Sequence, residues 1–189
     1  FCSMIKKDLM TSHIPVIMLT ALSSNDSRIE GYENRADEFI VKPFNAQVLL
    51  SRVYNLIESR AKLREIYRKN IFTRGDSVEG INKDQKFLQK LKTEIENHIV
   101  DENFNVESLA SIMALSRSQL HRKLTSLLDM SPLDLIRQVR LEKAREVLLK
   151  NKDKSISEVG YMVGYKTTSH FVKSFKKYYG KTPGEFIGS

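Results

Sequence analysis

The C-terminal part of this chain repeats itself. The segments VESLASIMALSRSQLHRKLTSLLDMSP (106–132) and ISEVGYMVGYKTTSHFVKSFKKYYGKTP (156–183) superimpose, with Val106, Leu109 and Met113 lying 50 residues before Ile156, Val159 and Val163. Beyond a turn the offset becomes 51, pairing Ser118 with Ser169, Leu120 with Phe171, Arg122 with Lys173, Leu124 with Phe175 and Pro132 with Pro183. One residue is therefore inserted in the second turn. Each copy reads as a short apolar helix, a tight turn and a second helix capped by Ser or Thr, a helix-turn-helix. Gly164 and Gly180 read as backbone devices, at the turn and at a helix end.

The copies are joined by Pro132 to Leu149, where proline suits a helix start and Leu135, Ile136, Val139, Leu141, Ala144, Val147 and Leu148 supply an apolar face. A helix of this length spans roughly 27 Å. That is near the roughly 34 Å repeat of successive major grooves on one face of DNA, so one chain could address two adjacent grooves. Upstream, Phe87, Leu88, Leu91, Ile95 and Ile99 form another apolar helical stripe, and from Lys86 onward no strand alternation is visible. Leu120, Leu124, Phe171 and Phe175 are expected in the core rather than as stacking platforms.

Charge points the same way. Of 189 residues 41% are hydrophobic and 29% charged, the balance of a globular chain, and the net charge is +8. Residues 1–64 carry 9 basic and 7 acidic groups, 65–85 carry 4 of each, and 86–189 carry 18 and 12. Between Lys166 and Lys181 stand five lysines and no acid, interleaved with Phe171, Phe175, Tyr178 and Tyr179. A basic helix of this kind suits a polyanion, though a solvated lysine face over an aromatic core has the same composition. The single cysteine, Cys2, cannot form an internal disulfide, which fits a reducing compartment. There is no 18-residue apolar run and no signal-peptide pattern, and a start at Phe1 suggests a fragment.

The first sixty residues are built differently. The apolar runs 14–19 and 39–41 suit strands covered on both faces, Ser23 to Arg35 suits an exposed helix, and Ala46 to Ile57 an amphipathic one. The order strand, helix, strand, helix implies a right-handed crossover in a parallel sheet. Two strands cannot complete such a core. The stretches HIPVIMLTA and GYENRADEFIVKPF resemble the C-terminal half of a response-regulator receiver domain, a flavodoxin-like α/β fold. That resemblance makes Thr20 the hydroxyl that meets an acyl phosphate, Lys42 the lysine that pairs with it and Phe39 the switch aromatic, and it implies a cis Lys42–Pro43 bond. The phosphoacceptor aspartate and the acidic pair that holds Mg²⁺ in an intact receiver have no counterpart here. Arg35 stands where that family usually has glycine.

SRAKLREIYRKN (59–70) continues the helical pattern, with Arg60, Lys62, Arg64, Arg68 and Lys69 read as a solvated face. FTRGDSVEGINKD (72–84) is rich in turn formers and reads as a linker, its Arg-Gly-Asp explained by turn chemistry. The repeat itself, with VGYKTTSHFVKSFKKYYGKTPGEF around the second copy, closely resembles the AraC/XylS family DNA-binding domain over about residues 86–187. By that resemblance Ser118, Gln119, His121 and Arg122 face DNA from the first reading helix, and Thr168, Ser169, His170 and Lys173 from the second. Arg122 could then make a bidentate contact to guanine and Gln119 to adenine. Lys173 occupies a site usually held by arginine, which gives charge with less directional recognition. Ile187 stands where a basic residue is common. Lys176, Lys177 and Lys181 would touch phosphate, adding affinity and salt sensitivity rather than sequence choice.

The fold expected is therefore mainly α: residues 1–58 the end of a receiver, 59–85 a helical connector and linker, and 86–189 an all-α double helix-turn-helix domain. No Gly-rich phosphate loop, zinc-protease motif or nucleophile elbow is present, so no enzyme activity and no cofactor are expected of this chain. His121 and His170 lack metal-ligand partners at the required spacing. The expected function is sequence-specific transcription regulation in a two-component phosphorelay, in a response regulator or the output end of a hybrid sensor kinase. The partners implied are promoter DNA, a second copy through the receiver, a histidine kinase in cis or in trans, and RNA polymerase. The expected setting is the cytoplasm, with a membrane tether in a longer protein. The alternatives are a protein-interaction module using basic helices on acidic partners, or a fragment of a larger histidine kinase enzyme whose catalytic part lies upstream.

Overall fold

The computed structural model describes residues 1–21, 36–72, 82–151 and 153–188. The exposed helix expected at 23–35, the atypical Arg35 and the Arg-Gly-Asp of the linker lie outside the described residues. A short helix α1 (Cys2–Lys7) leads into strand β1 (Ile17–Thr20), which pairs in parallel with β2 (Glu38–Val41). The register sets Met18 against Phe39 and Thr20 against Val41. The peptide bond Lys42–Pro43 is cis, as the receiver resemblance implies.

Helix α2 (Ala46–Phe72) then runs 27 residues, about 40 Å, without a break through the expected end of the receiver. Its first half leaves Val48, Leu50, Tyr54 and Ile57 exposed, while Tyr67 and Ile71 are buried. The second half docks onto the helical domain. There α3 (Lys83–Asn97) begins three residues before the sequence pattern suggests. Asn82 caps it, and a reciprocal bond between its backbone N–H and the Gln85 side chain completes a capping box.

The remaining helices are α4 (Val106–Ile112), α5 (Arg117–Leu128), α6 (Pro132–Lys150), α7 (Ile156–Met162), α8 (Thr168–Tyr179) and α9 (Pro183–Ile187). They enclose two cores. The first gathers Leu88, Leu91 and Ile95 of α3, Leu109 of α4 and Leu120, Leu124 and Leu128 of α5, joined by Tyr67 and Ile71 of α2. The second gathers Val159 and Val163 with Phe171 and Phe175, with Phe186 of α9 packed against it. Helix α6 belongs to both: Leu135, Ile136 and Val139 enter the first core and Leu141, Ala144, Val147 and Leu148 the second. Its apolar residues therefore point two ways. Leu120, Leu124, Phe171 and Phe175 are fully buried, each side chain stabilising its core by about 1.5–3 kcal/mol.

Candidate nucleic-acid interface

The two copies are built by the same local devices. In each, the first helix ends in a Schellman turn: Leu115 N donates to Ala110 O at 2.9 Å and Tyr165 N to Gly160 O at 3.0 Å. The left-handed residue of each turn is Ala114 (φ 53°) or Gly164 (φ 77°), still 50 apart. The caps of the second helices, Ser116 and Thr167, are 51 apart, so the extra residue falls between Gly164 and Thr167. A polar tie spans each turn at matching positions: Arg117 to Glu107 at 2.7 Å in the first copy, and Thr168 Oγ1 donating to Ser157 Oγ at 3.0 Å in the second. The second helices end alike on left-handed Asp129 and Gly180, followed by caps Ser131 and Thr182 and the first-turn prolines Pro132 and Pro183.

With Leu120 and Leu124 turned inward, α5 leaves Ser118, His121 and Arg122 exposed in one stripe at i, i+3 and i+4. Gln119 is half-buried, and its Oε1 accepts from Ser116 N at 2.8 Å, completing a capping box. That oxygen is occupied by the helix start. On α8, Ser169, His170, Lys173, Lys176 and Lys177 are exposed and Thr168 is half-buried against Ser157. The His170 ring meets Tyr165 edge-on, with centroids 5.3 Å apart. His170, Lys173 and Lys177 also line an open groove of about 390 Å³ between α8 and α6, with Arg137 of α6 on the opposite wall. A polar clasp closes one end: Gln138 Nε2 donates to the Tyr178 hydroxyl, which donates to Glu142 Oε1 at 3.4 Å. Burial, then the Glu142 carboxylate, pushes the Tyr178 phenol up to about 12, so it stays a donor at neutral pH.

Both outward stripes thus combine hydroxyl, imidazole and cationic groups, with the Gln119 amide added in the first, over buried aliphatic or aromatic backs, a pattern suited to base edges and phosphates. Residues 109–189 match the family described as a helix-turn-helix domain. Together with the duplicated architecture and the relatives it matches, this decides the type. Residues 109–189 are an AraC-type helix-turn-helix domain. The AraC-type domain is similar in structure to the C-terminal domain of the two-component response regulator yesN from Fusobacterium nucleatum, with 26% identity and a TM-score of 0.50, covering 54% of this chain and 98% of that one. In sequence the chain is 35% identical to histidine kinase P4 of Formosa agariphila over 187 residues, a match that runs through the receiver-like segment as well as the AraC-type domain. It is 30% identical over 115 residues to the HTH-type transcriptional activator RhaS of an Enterobacter species. The chain spans 13% of the length of the first of these relatives and 41% of the second.

In the receiver-like segment, Thr20 and Lys42 come together at the end of the two-stranded sheet, where Lys42 N donates to Thr20 O at 2.7 Å. Lys42 is exposed, while Thr20 and Phe39 are half-buried. Among the described residues, no three His, Cys, Asp or Glu side chains converge as a metal site requires.

Two features were missed by sequence reasoning. The connector's basic run is solvated at Lys62 and Lys69, but its arginines also dock: Arg60 pairs with Asp37 at 3.1 Å, Arg64 Nε donates to Ser126 O at 2.9 Å, and Arg68, still exposed, donates to the carbonyls of Leu128 and Asp129. Arg64 and Arg68 satisfy carbonyls at the C-terminal end of α5, where the helix dipole favours a cation. The second is Lys123, fully buried within the first reading helix, whose ammonium reaches Asp84 Oδ1 at 2.8 Å. Its signal was available. Lys123 stands three residues after Leu120 and four before Leu127, on the apolar face.

Proposed function

We propose that this chain is the DNA-reading output portion of a two-component regulator, binding double-stranded promoter DNA through α5 and α8 under control of a receiver. The observation that carries the reading is the pair of exposed polar faces, Ser118, His121 and Arg122 on one helix and Ser169, His170 and Lys173 on its repeat, joined by a single 19-residue helix of about 28 Å. Gln119 and Thr168 complete the set, alongside their duties in the helix cap and the turn tie. Lys176, Lys177 and Lys181 add contacts to phosphate.

The receiver, complete only with the strands that carry a phosphoacceptor and Mg²⁺ ligands, would supply the input. Its Thr20, Phe39 and Lys42 would answer phosphorylation, and its surfaces would pair two copies on the promoter. The phosphoryl donor is a histidine kinase, on the same polypeptide or on another. The likeness to histidine kinase P4 over nearly the whole chain supports the single-polypeptide arrangement, with kinase activity residing in that other portion. RNA polymerase is the partner through which promoter binding would act, and the cytoplasm is the compartment. Among the described residues no helix is long and apolar enough to cross a membrane.

Gel-shift titration of the chain against duplex promoter fragments at rising salt tests this reading. Sequence-dependent affinity that falls steeply with salt is expected; equal affinity for every duplex and for acidic proteins would remove it. Arg122→Ala should lose about 1–3 kcal/mol of discrimination at one base position.

A further inference from the structure

Among the described residues, the receiver-like segment and its connector touch the helical domain at the inner side of the first reading helix and at the start of α3, where Asn82 donates to the Tyr67 hydroxyl and Lys83 to the Lys7 carbonyl. From α2, Arg64 and Arg68 donate to the carbonyls of Ser126, Leu128 and Asp129. From the turn after α1, the carbonyl of Leu9 accepts from Lys123 Nζ, and Ser12 Oγ stands 3.3 Å from that ammonium. Ser12 also donates to Asp84 Oδ1 at 3.0 Å, and Asp84, at the start of α3, is the charge that balances Lys123. The Phe87 ring lies 5.1 Å from the same nitrogen. One buried cation thus ties two elements distant in sequence, the Leu9–Ser12 turn and α3, to the middle of α5.

The second reading helix is held differently. The repeat partner of Lys123 is Ser174. The buried core beneath α8 draws on no residue before Ile99, whereas the core beneath α5 contains Tyr67 and Ile71 of the connector. Among the described residues, therefore, the built connection from the receiver side leads to one of the two reading helices.

We propose that Lys123 is a positioning residue through which the receiver-like segment sets the first reading helix alone, leaving the second to bind DNA independently of the signal. This rests on α5 being a DNA-reading helix. An ammonium buried at full depth is tolerable only while its carboxylate, carbonyl and hydroxyl partners stay in place. A shift of the Leu9–Ser12 turn would uncover that charge, and α5 would move or loosen in response.

The test is amide hydrogen exchange on the full chain carrying Lys123→Met, which removes the cation while keeping an apolar side chain of similar length. Arg68→Gln, at an exposed position, is the second variant. Exchange across 117–128 is expected to rise about tenfold in each while 168–179 stays within about twofold of the parent. On a duplex with two half-sites, hydroxyl-radical protection should weaken only where α5 binds. An equal rise in α8, or an unchanged α5 in both variants, overturns the proposal. Should Lys123→Met lose its helical circular dichroism, Arg68→Gln decides. If the parent binds no duplex, the DNA reading fails while the exchange pattern still tests the latch.

Discussion

The ring of Phe171 fills the space that a side chain at position 160 would need: a Cβ on Gly160 would stand 3.1 Å from Phe171 Cδ1 and 3.2 Å from Cγ. The first copy solves the same contact the other way, with buried Ala110 opposite buried Leu120. Methyl and ring are traded between the repeats. Gly160→Ala should therefore destabilise the domain, since an overpacking cost of about 1–3 kcal/mol exceeds the gain of up to about 1 kcal/mol in helix propensity. Adding Phe171→Leu should recover part of that loss. Urea unfolding in a double-mutant cycle measures it, and strict additivity would contradict the contact.

The two turn residues should answer substitution with opposite signs. Ala114 holds a left-handed conformation that disfavours a Cβ, so Ala114→Gly should raise stability by about 0.5–1 kcal/mol. Gly164→Ala would place a Cβ 2.4 Å from Ile99 O and 2.9 Å from Arg140 Nη2. It should cost about 3 kcal/mol. Thermal unfolding of the two variants side by side is sufficient.

Acid should weaken the fold near His13. Burial, then the Lys123 ammonium, holds this imidazole below the ordinary histidine range, against a smaller opposing pull from Asp84. The unfolded chain then takes up the proton first. The contribution is fully present above the ordinary value of about 6.5 and is lost as pH falls from there through the folded value. His13→Gln should flatten that part of a stability profile. An unchanged slope would place the proton uptake elsewhere.

Exposed lysines on α8 should act on affinity without selectivity. Lys176→Gln is expected to weaken binding to all duplexes alike and to reduce the slope of log affinity against log salt by about 1. A change in the ratio between specific and random duplexes would instead give Lys176 a role at base edges.

Much of this architecture is legible because repetition fixes register: offsets of 50 and 51 locate both turns and the inserted residue, and the composition of each turn calls for a Ser or Thr cap. The buried pairs Leu120/Leu124 and Phe171/Phe175 followed from helical spacing alone. What spacing could not show was side-chain partnership over long separations. Arg64 and Arg68 belong to a polar run that suits water equally well, and only the docking of α2 brings carbonyls 60 and 62 residues away within reach. Lys123 sat in view on an apolar face, yet its partners Leu9, Ser12 and Asp84 come from segments whose arrangement no periodicity encodes. Gln119 shows an amide suited to base recognition, and its second duty was open to the sequence as well, since Ser116 and Gln119 stand at capping-box spacing.

Helix α6 is usefully seen as a shared wall rather than a spacer. A cut between Val139 and Leu141 would strip one side from each compartment, so neither reading unit should survive as an excised fragment. A substitution in the wall itself should therefore disturb both compartments, whereas one confined to the latched side of α5 leaves α8 on its own support.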